Sequence, residues 1–150
     1  MHIAIGADHA GFKLKELLAR VVAGLGHAVT DLGTHDEEPA DYPDLAAAVA
    51  RAVAEKRTER GIIICGSGAG AAIAANKVKG VRCALAHDTY SAHQSVEHDD
   101  ANVLALGSRV VGSALAEEIV TAFLGARFSG EERHLRRLGK VAALEDAFGG

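Results

Sequence analysis

A chain of 150 residues has the length of one domain, and a domain of that size buries roughly 68–70% of its unfolded surface, so a core forms without staples. Apolar residues make up 49% and charged residues 24%, with 4% aromatics and no Trp, which is ordinary globular usage and leaves Ala, Val, Leu and Ile to build the core. The net charge of −4 and the two cysteines give no footprint of nucleic-acid or membrane-surface binding and no disulfide framework; they point to a reducing, cytoplasmic setting.

Short apolar runs alternate with longer amphipathic segments. Met1–Ile5 has no basic leader and runs straight into Gly6-Ala7-Asp8-His9, so it does not read as a signal peptide; His2–Gly6 reads as a strand ending in a turn. Phe12 to Leu25 carries apolar residues at Leu14, Leu17, Leu18, Val21, Val22 and Leu25, the period of a helix. Gly24 and Gly26 close it, and His27–Leu32 follows as a second strand. Thr34 to Pro43 is polar, holds both prolines and reads as a loop; Tyr42-Pro43-Asp44 then opens an Ala-rich helix, Leu45 to about Lys56. Gly61–Cys65 is apolar without alternation, as expected of a strand buried on both faces. A glycine turn leads into a helix over Ala69–Val78, a strand over Val81–Ala86 and a short helix from Tyr90 to about Glu97. Asn102–Leu106 is the fifth strand, Val111–Leu124 a helix, and Gly130–Phe148 a last helix with no strand after it. No apolar stretch approaches the roughly 20 residues that cross a bilayer.

Five strands separated by helices predict an α/β fold: a doubly wound, Rossmann-like, three-layer α/β/α arrangement with a five-stranded parallel sheet and an extra C-terminal helix. That helix has no strand to close against, so a partner subunit is its expected neighbour.

Ligands of such sheets sit beyond the carboxyl ends of the strands. Polar residues stand where strands stop, at Asp8-His9, Cys65 to Gly70, His87-Asp88 and Gly107-Ser108-Arg109, with His98-Asp99-Asp100 just ahead of the fifth strand. These groups are expected to gather on one rim. Gly66, Gly68 and Gly70 let the backbone present consecutive N–H groups at a helix N-terminus, an anion site. The turn is no P-loop, since no Gly-Lys-Ser/Thr follows. Its G-x-G-x-G spacing after the third strand also departs from the dinucleotide fingerprint, although Asp88 lies about twenty residues on, where a ribose-binding acid would stand. NAD binding is thus the weaker reading.

Cys65 sits directly before those N–H groups, which favour a thiolate. A small buried hydrophobe ending a core strand is the other reading, and position alone does not choose between them. Cys83 lies inside a strand and reads as core. Between Arg127 and Lys140 five basic residues (Arg127, Arg133, Arg136, Arg137, Lys140) face two acids (Glu131, Glu132), a local balance of +3. Arg133 and Arg137, four apart, share a helix face and can grip one phosphate, against the alternative of a solvated face. The eight histidines occur as His-Asp or Asp-His pairs and singletons without zinc-site spacing, so no metal and no cofactor are expected.

These pieces, taken together, closely resemble the ribose-5-phosphate isomerase B family, which includes galactose-6-phosphate isomerase subunits. The matching segments are Gly6-Ala7-Asp8-His9-Ala10-Gly11-Phe12, Asp41-Tyr42-Pro43, Cys65-Gly66-Ser67-Gly68-Ala69-Gly70, Ala74-Ala75-Asn76-Lys77, Glu97-His98, Asn102-Val103-Leu104, Gly107-Ser108-Arg109 and Arg133-His134-Leu135-Arg136-Arg137. They span nearly the whole chain in the family's order. The resemblance implies a single isomerase domain over 1–150 that interconverts an aldose and a ketose phosphate without a metal, most simply ribose 5-phosphate and ribulose 5-phosphate. A tetrose or hexose phosphate, or sugar-phosphate binding without turnover, are the other readings.

By the same resemblance Cys65 moves the proton between C1 and C2, with Ser67 beside it. The N–H groups of Gly66, Ser67, Gly68, Ala69 and Gly70 hold the oxyanion. His98 opens the furanose ring, Asp8 holds sugar hydroxyls, and His9, Arg109, Arg133 and Arg137 bind phosphate. The site is shared across a homodimer, which can assemble further into a tetramer. One subgroup uses a later glutamate as base; here Ala71 stands at that position, so the chain follows the cysteine version. Asp99 departs from the family's usual Asn. A carboxylate only accepts hydrogen bonds where an amide also donates, so Asp99 bears on which sugar is taken.

Overall fold

In the computed structural model, which describes residues 1–149, the alternation becomes β1 (His2–Ala7), α1 (Phe12–Gly24), β2 (Ala28–Asp31), α2 (Tyr42–Ala54), β3 (Arg60–Cys65), α3 (Ala69–Ala75), β4 (Cys83–Leu85), α4 (Thr89–Asp99), β5 (Val103–Gly107), α5 (Ser113–Gly125) and α6 (Glu132–Phe148). The strands form one sheet in the order β2-β1-β3-β5-β4, every neighbouring pair parallel. Leu18 and Val22 of α1, Ala92 and Val96 of α4, and Ile119 and Phe123 of α5 cover one face. Ala46, Val49 and Ala50 of α2 and Ala71 and Ala75 of α3 cover the other. This is the expected three-layer α/β/α arrangement.

Burial explains the strand order. Ile62, Ile63, Ile64, Val103, Leu104 and Leu106 are wholly buried, so β3 and β5 are central, whereas three-residue β4 leaves Leu85 43% exposed at the edge. The chain winds from β1 outward to β2 and returns on β1's other side as β3. The crevice of the sheet therefore opens between the carboxyl ends of β1 and β3, where Asp8 and Cys65 follow.

Two element boundaries matter for the site. α2 begins at Tyr42, with the Tyr42-Pro43-Asp44 opening as its first turn, because Pro43 fits a position that has no use for its missing N–H. α4 runs through Asp99, two residues past the expected end at about Glu97, so His98 and Asp99 lie in its last turn. The terminal helix α6 meets α4 and is tied at its far end, where Glu145 accepts from the Gly80 N–H (3.1 Å) and Lys79 pairs with Asp146 (2.8 Å). Its Val141, Leu144 and Phe148 are 53%, 60% and 85% exposed. Among the described residues no helix is long and apolar enough to cross a membrane.

Candidate active site

The strand register sets Ala7 beside Ile64 and Cys65 beside Gly107. Asp8, Cys65 and Gly107 therefore stand in a row across the carboxyl rim, at sheet spacing of about 4.8 Å. Cys65 is buried, and its Sγ accepts a hydrogen bond from the Gly68 N–H at 3.1 Å. Gly68 has φ +79° and caps α3; a Cβ there would lie 2.8 Å from the Leu106 carbonyl carbon. A Cβ on Gly107 would meet the Ser67 carbonyl oxygen at 2.5 Å. The turn thus rests backbone against backbone on the end of β5, which only glycine permits. Exposed Ser67 accepts the Ala69 N–H through Oγ (3.2 Å).

Asp8 is buried, with Oδ1 accepting from the Gly11 N–H at 3.1 Å. His9 accepts the Ala40 N–H at Nδ1 (3.1 Å), which leaves the proton of the neutral ring on Nε2, available as a donor. Arg109 is tied by its own N–H to the Gly66 carbonyl (3.0 Å), and its guanidinium lies over Gly66, with Nη1 3.5 Å from where a Cβ would stand. Ser108 Oγ donates to the Ala10 carbonyl (2.8 Å), joining this segment to the loop that carries His9. Asp8, His9, Cys65 to Gly70 and Arg109 are therefore assembled within one subunit.

His98, Asp99, Arg133 and Arg137 are not brought to that rim, and the expectation of a single rim is corrected here. α4 leaves the carboxyl end of β4 and runs back for 11 residues, about 16 Å, so its last turn reaches the amino end of the sheet. There the His98 ring stacks on His134, centroids 4.1 Å apart and planes 26° apart. Arg133 and Arg137 occupy the first turns of α6 beside it. Arg133 pairs with Glu131 (2.9 Å), and Arg137 has no ion pair among the described residues. Asp99 is exposed and borders a cavity of about 810 Å³ between the β4 edge and α6, lined also by Cys83, Val141 and Leu144. Burial pushes the Cys83 thiol up to about 12, in keeping with a core residue.

Two residues were not singled out from the sequence. Tyr42 covers the glycine turn: a Cβ on Gly70 would sit 2.6 Å from its ring, and the tyrosine is nevertheless 41% exposed. An exposed aromatic in a chain with 4% aromatics was the available signal. His134 is 2% exposed, with Nδ1 2.6 Å from Ser129 Oγ and Nε2 buried without a partner among the described residues. Desolvation, followed by the neighbouring His98 and Arg133, holds it below the usual histidine range.

A parallel α/β sheet with a thiol and a carboxylate at its switch point, under a turn of N–H donors, is the frame of an enzyme acting on a small anionic substrate. The family model described as Ribose/Galactose Isomerase matches residues 3–141. Ribose-5-phosphate isomerase B of Escherichia coli is 48% identical over 143 residues, 95% of each chain. The D-erythrulose-4-phosphate isomerase of Pectobacterium atrosepticum is 45% identical over 87% of this chain and 86% of that one. The ribose-5-phosphate isomerase B structure from Clostridium thermocellum superposes with a TM-score of 0.96 at 49% identity, covering 99% of both chains. The chain belongs to the ribose/galactose isomerase family. It is a sugar-phosphate isomerase.

Proposed function

We propose that the protein interconverts ribose 5-phosphate and ribulose 5-phosphate through an enediolate, without a metal, in a site that two copies build together. The observation that carries this reading is the placement of Cys65 and Asp8 at the switch point, with Arg109 and the Gly66–Gly70 turn around them. The Cys65 thiolate takes the proton from C2 of the open-chain aldose and returns it to C1. The turn's N–H groups hold the oxygen that becomes negative between these steps, as preorganised donors do, and Ser67 lines the approach. Asp8 accepts from sugar hydroxyls, and His9 and Arg109 donate to the phosphate. A reducing, cytoplasmic compartment keeps Cys65 unoxidised, as this reaction needs.

The amino-rim group completes the site from the partner subunit. His98 donates a proton to the ring oxygen while the anomeric hydroxyl loses its own, and Arg133 and Arg137 grip the phosphate from that side. Exposed Ile73, Leu85, Tyr90, Leu144 and Phe148 supply apolar surface for the homodimer.

A tetrose phosphate is the second reading, supported by the 45% identity to a relative named D-erythrulose-4-phosphate isomerase. Asp99 would favour a sugar that offers a hydroxyl donor there. The test is turnover of a panel of phosphorylated tetroses, pentoses and hexoses with EDTA present. Ribose 5-phosphate with the highest kcat/KM is the expected result. Higher kcat/KM for a tetrose phosphate gives the second reading, and binding without turnover across the panel overturns both.

A further inference from the structure

We infer that His87 is a positioning residue for the catalytic turn: its imidazole accepts the Gly107 N–H and so fixes the backbone on which Cys65 to Gly68 rest. The inference builds on the isomerase reading above. The β4–β5 ladder pairs Leu85 with Ala105, and its last backbone bond is a long one, from the Ala86 N–H to the Ala105 carbonyl at 3.4 Å. Beyond it the chain turns away into α4, and Gly107, itself buried, would be left with an unpaired N–H. His87 Nε2 takes that bond at 2.9 Å, so a side chain continues the ladder where the backbone leaves it.

What depends on this bond is the site. The 106–107 peptide is the surface against which Ser67 and Gly68 pack, at separations that admit no Cβ. The next two residues bond back to the turn, Ser108 N–H to the Cys65 carbonyl (2.9 Å) and Arg109 N–H to the Gly66 carbonyl (3.0 Å). One ring nitrogen therefore sets where Cys65, the turn and the Arg109 backbone stand relative to one another. Nε2 must be unprotonated to accept, so the proton of the neutral ring is on Nδ1.

The two amide side chains separate this role from general packing. Gln puts its oxygen near the place of Nε2, whereas Asn puts its own near the place of Nδ1, out of reach of Gly107. His87→Gln is expected to keep kcat/KM within about threefold of the wild type. His87→Asn is expected to lose on the order of tenfold to a hundredfold, falling on kcat more than on KM, because a displaced turn misaligns the reacting groups. Hydrogen exchange of the Gly107 amide, read by NMR without substrate, should be slow in the wild type and His87→Gln and fast in His87→Asn. Equal activity and equal Gly107 protection in the Gln and Asn variants overturn the inference. The exchange measurement does so even if the protein turns over none of the sugars, a result that would count against the proposed reaction alone. If His87→Asn does not fold, His87→Gln losing both activity and Gly107 protection overturns it.

Discussion

Cys65 carries the chemistry in this account, yet it is only 4% exposed, and a buried thiol is ordinarily inert core. The hydrogen bond from the Gly68 N–H distinguishes it from Cys83, whose sulfur has no donor among the described residues and which burial drives upward. Removing the sulfur should chiefly cost proton transfer. Cys65→Ala is expected to lower kcat about 10²–10⁴-fold, the range for a lost acid–base group, while the unpaired Gly68 N–H lowers stability by only about 1–2 kcal/mol, so the protein stays folded. Unchanged turnover would remove Cys65 from the mechanism. His134 gives a prediction of a different kind. Its folded-state pKa lies below the unfolded value of about 6.5. Its neutral form therefore contributes fully above that pH, and stability is lost as pH falls below it, because the unfolded chain takes up the proton first. His134→Phe keeps a ring against His98 and removes the titration. Its urea midpoint should decline less than the wild type's between about pH 7.5 and 5.5; parallel declines would contradict this. Cys65 was legible because its neighbours in sequence are its neighbours in space. His134 was not, because its burial and its stack on His98 arise only where α6 crosses α4.

At the level of elements, the rim is held by connections that local pattern does not announce. Lys15 is wholly buried on α1 and pairs with Asp31 at 2.6 Å; Asp31 in turn accepts the Gly33 N–H, and the Gly33 carbonyl accepts the Ala7 N–H next to Asp8. Lys15→Met leaves Asp31 without its partner. Because Asp31 is one-third exposed, the cost should fall at or below the lower end of the range for a broken buried pair, about 2–3 kcal/mol by urea unfolding. A change under about 0.5 kcal/mol, typical of surface positions, would show that the pair does not matter. Gly107→Ala drives a methyl against the Ser67 carbonyl and should cost about 1–3 kcal/mol by the same measurement together with isomerase activity; a neutral result would mean the turn does not rest on β5. The five strands, their parallel sense and the glycine turn were all readable from apolar runs and punctuation. The order of β4 and β5 was not, since it depends on which run buries more completely. The last turn of α4 is only roughly legible, because the apolar period stops at Val96 and a helix end accommodates His98 and Asp99 without one.

At the scale of the whole molecule, the residues that the family resemblance assigns to one site lie at opposite ends of one sheet. Cys65, Asp8 and Arg109 stand at the carboxyl rim, and His98, Arg133 and Arg137 at the amino end, separated by the length of α4. In the proposed homodimer a two-fold axis would close the gap, because an isologous contact can set each rim against the other copy's opposite end. Mixing two inactive variants tests this directly. Cys65→Ala and His98→Ala, each inactive alone, should regain activity when denatured together and refolded at equal concentrations. Random pairing makes half the dimers mixed, each with one intact site of two, so about a quarter of wild-type activity is expected for a shared site. No recovery, from dimers shown to have exchanged subunits, would contradict it.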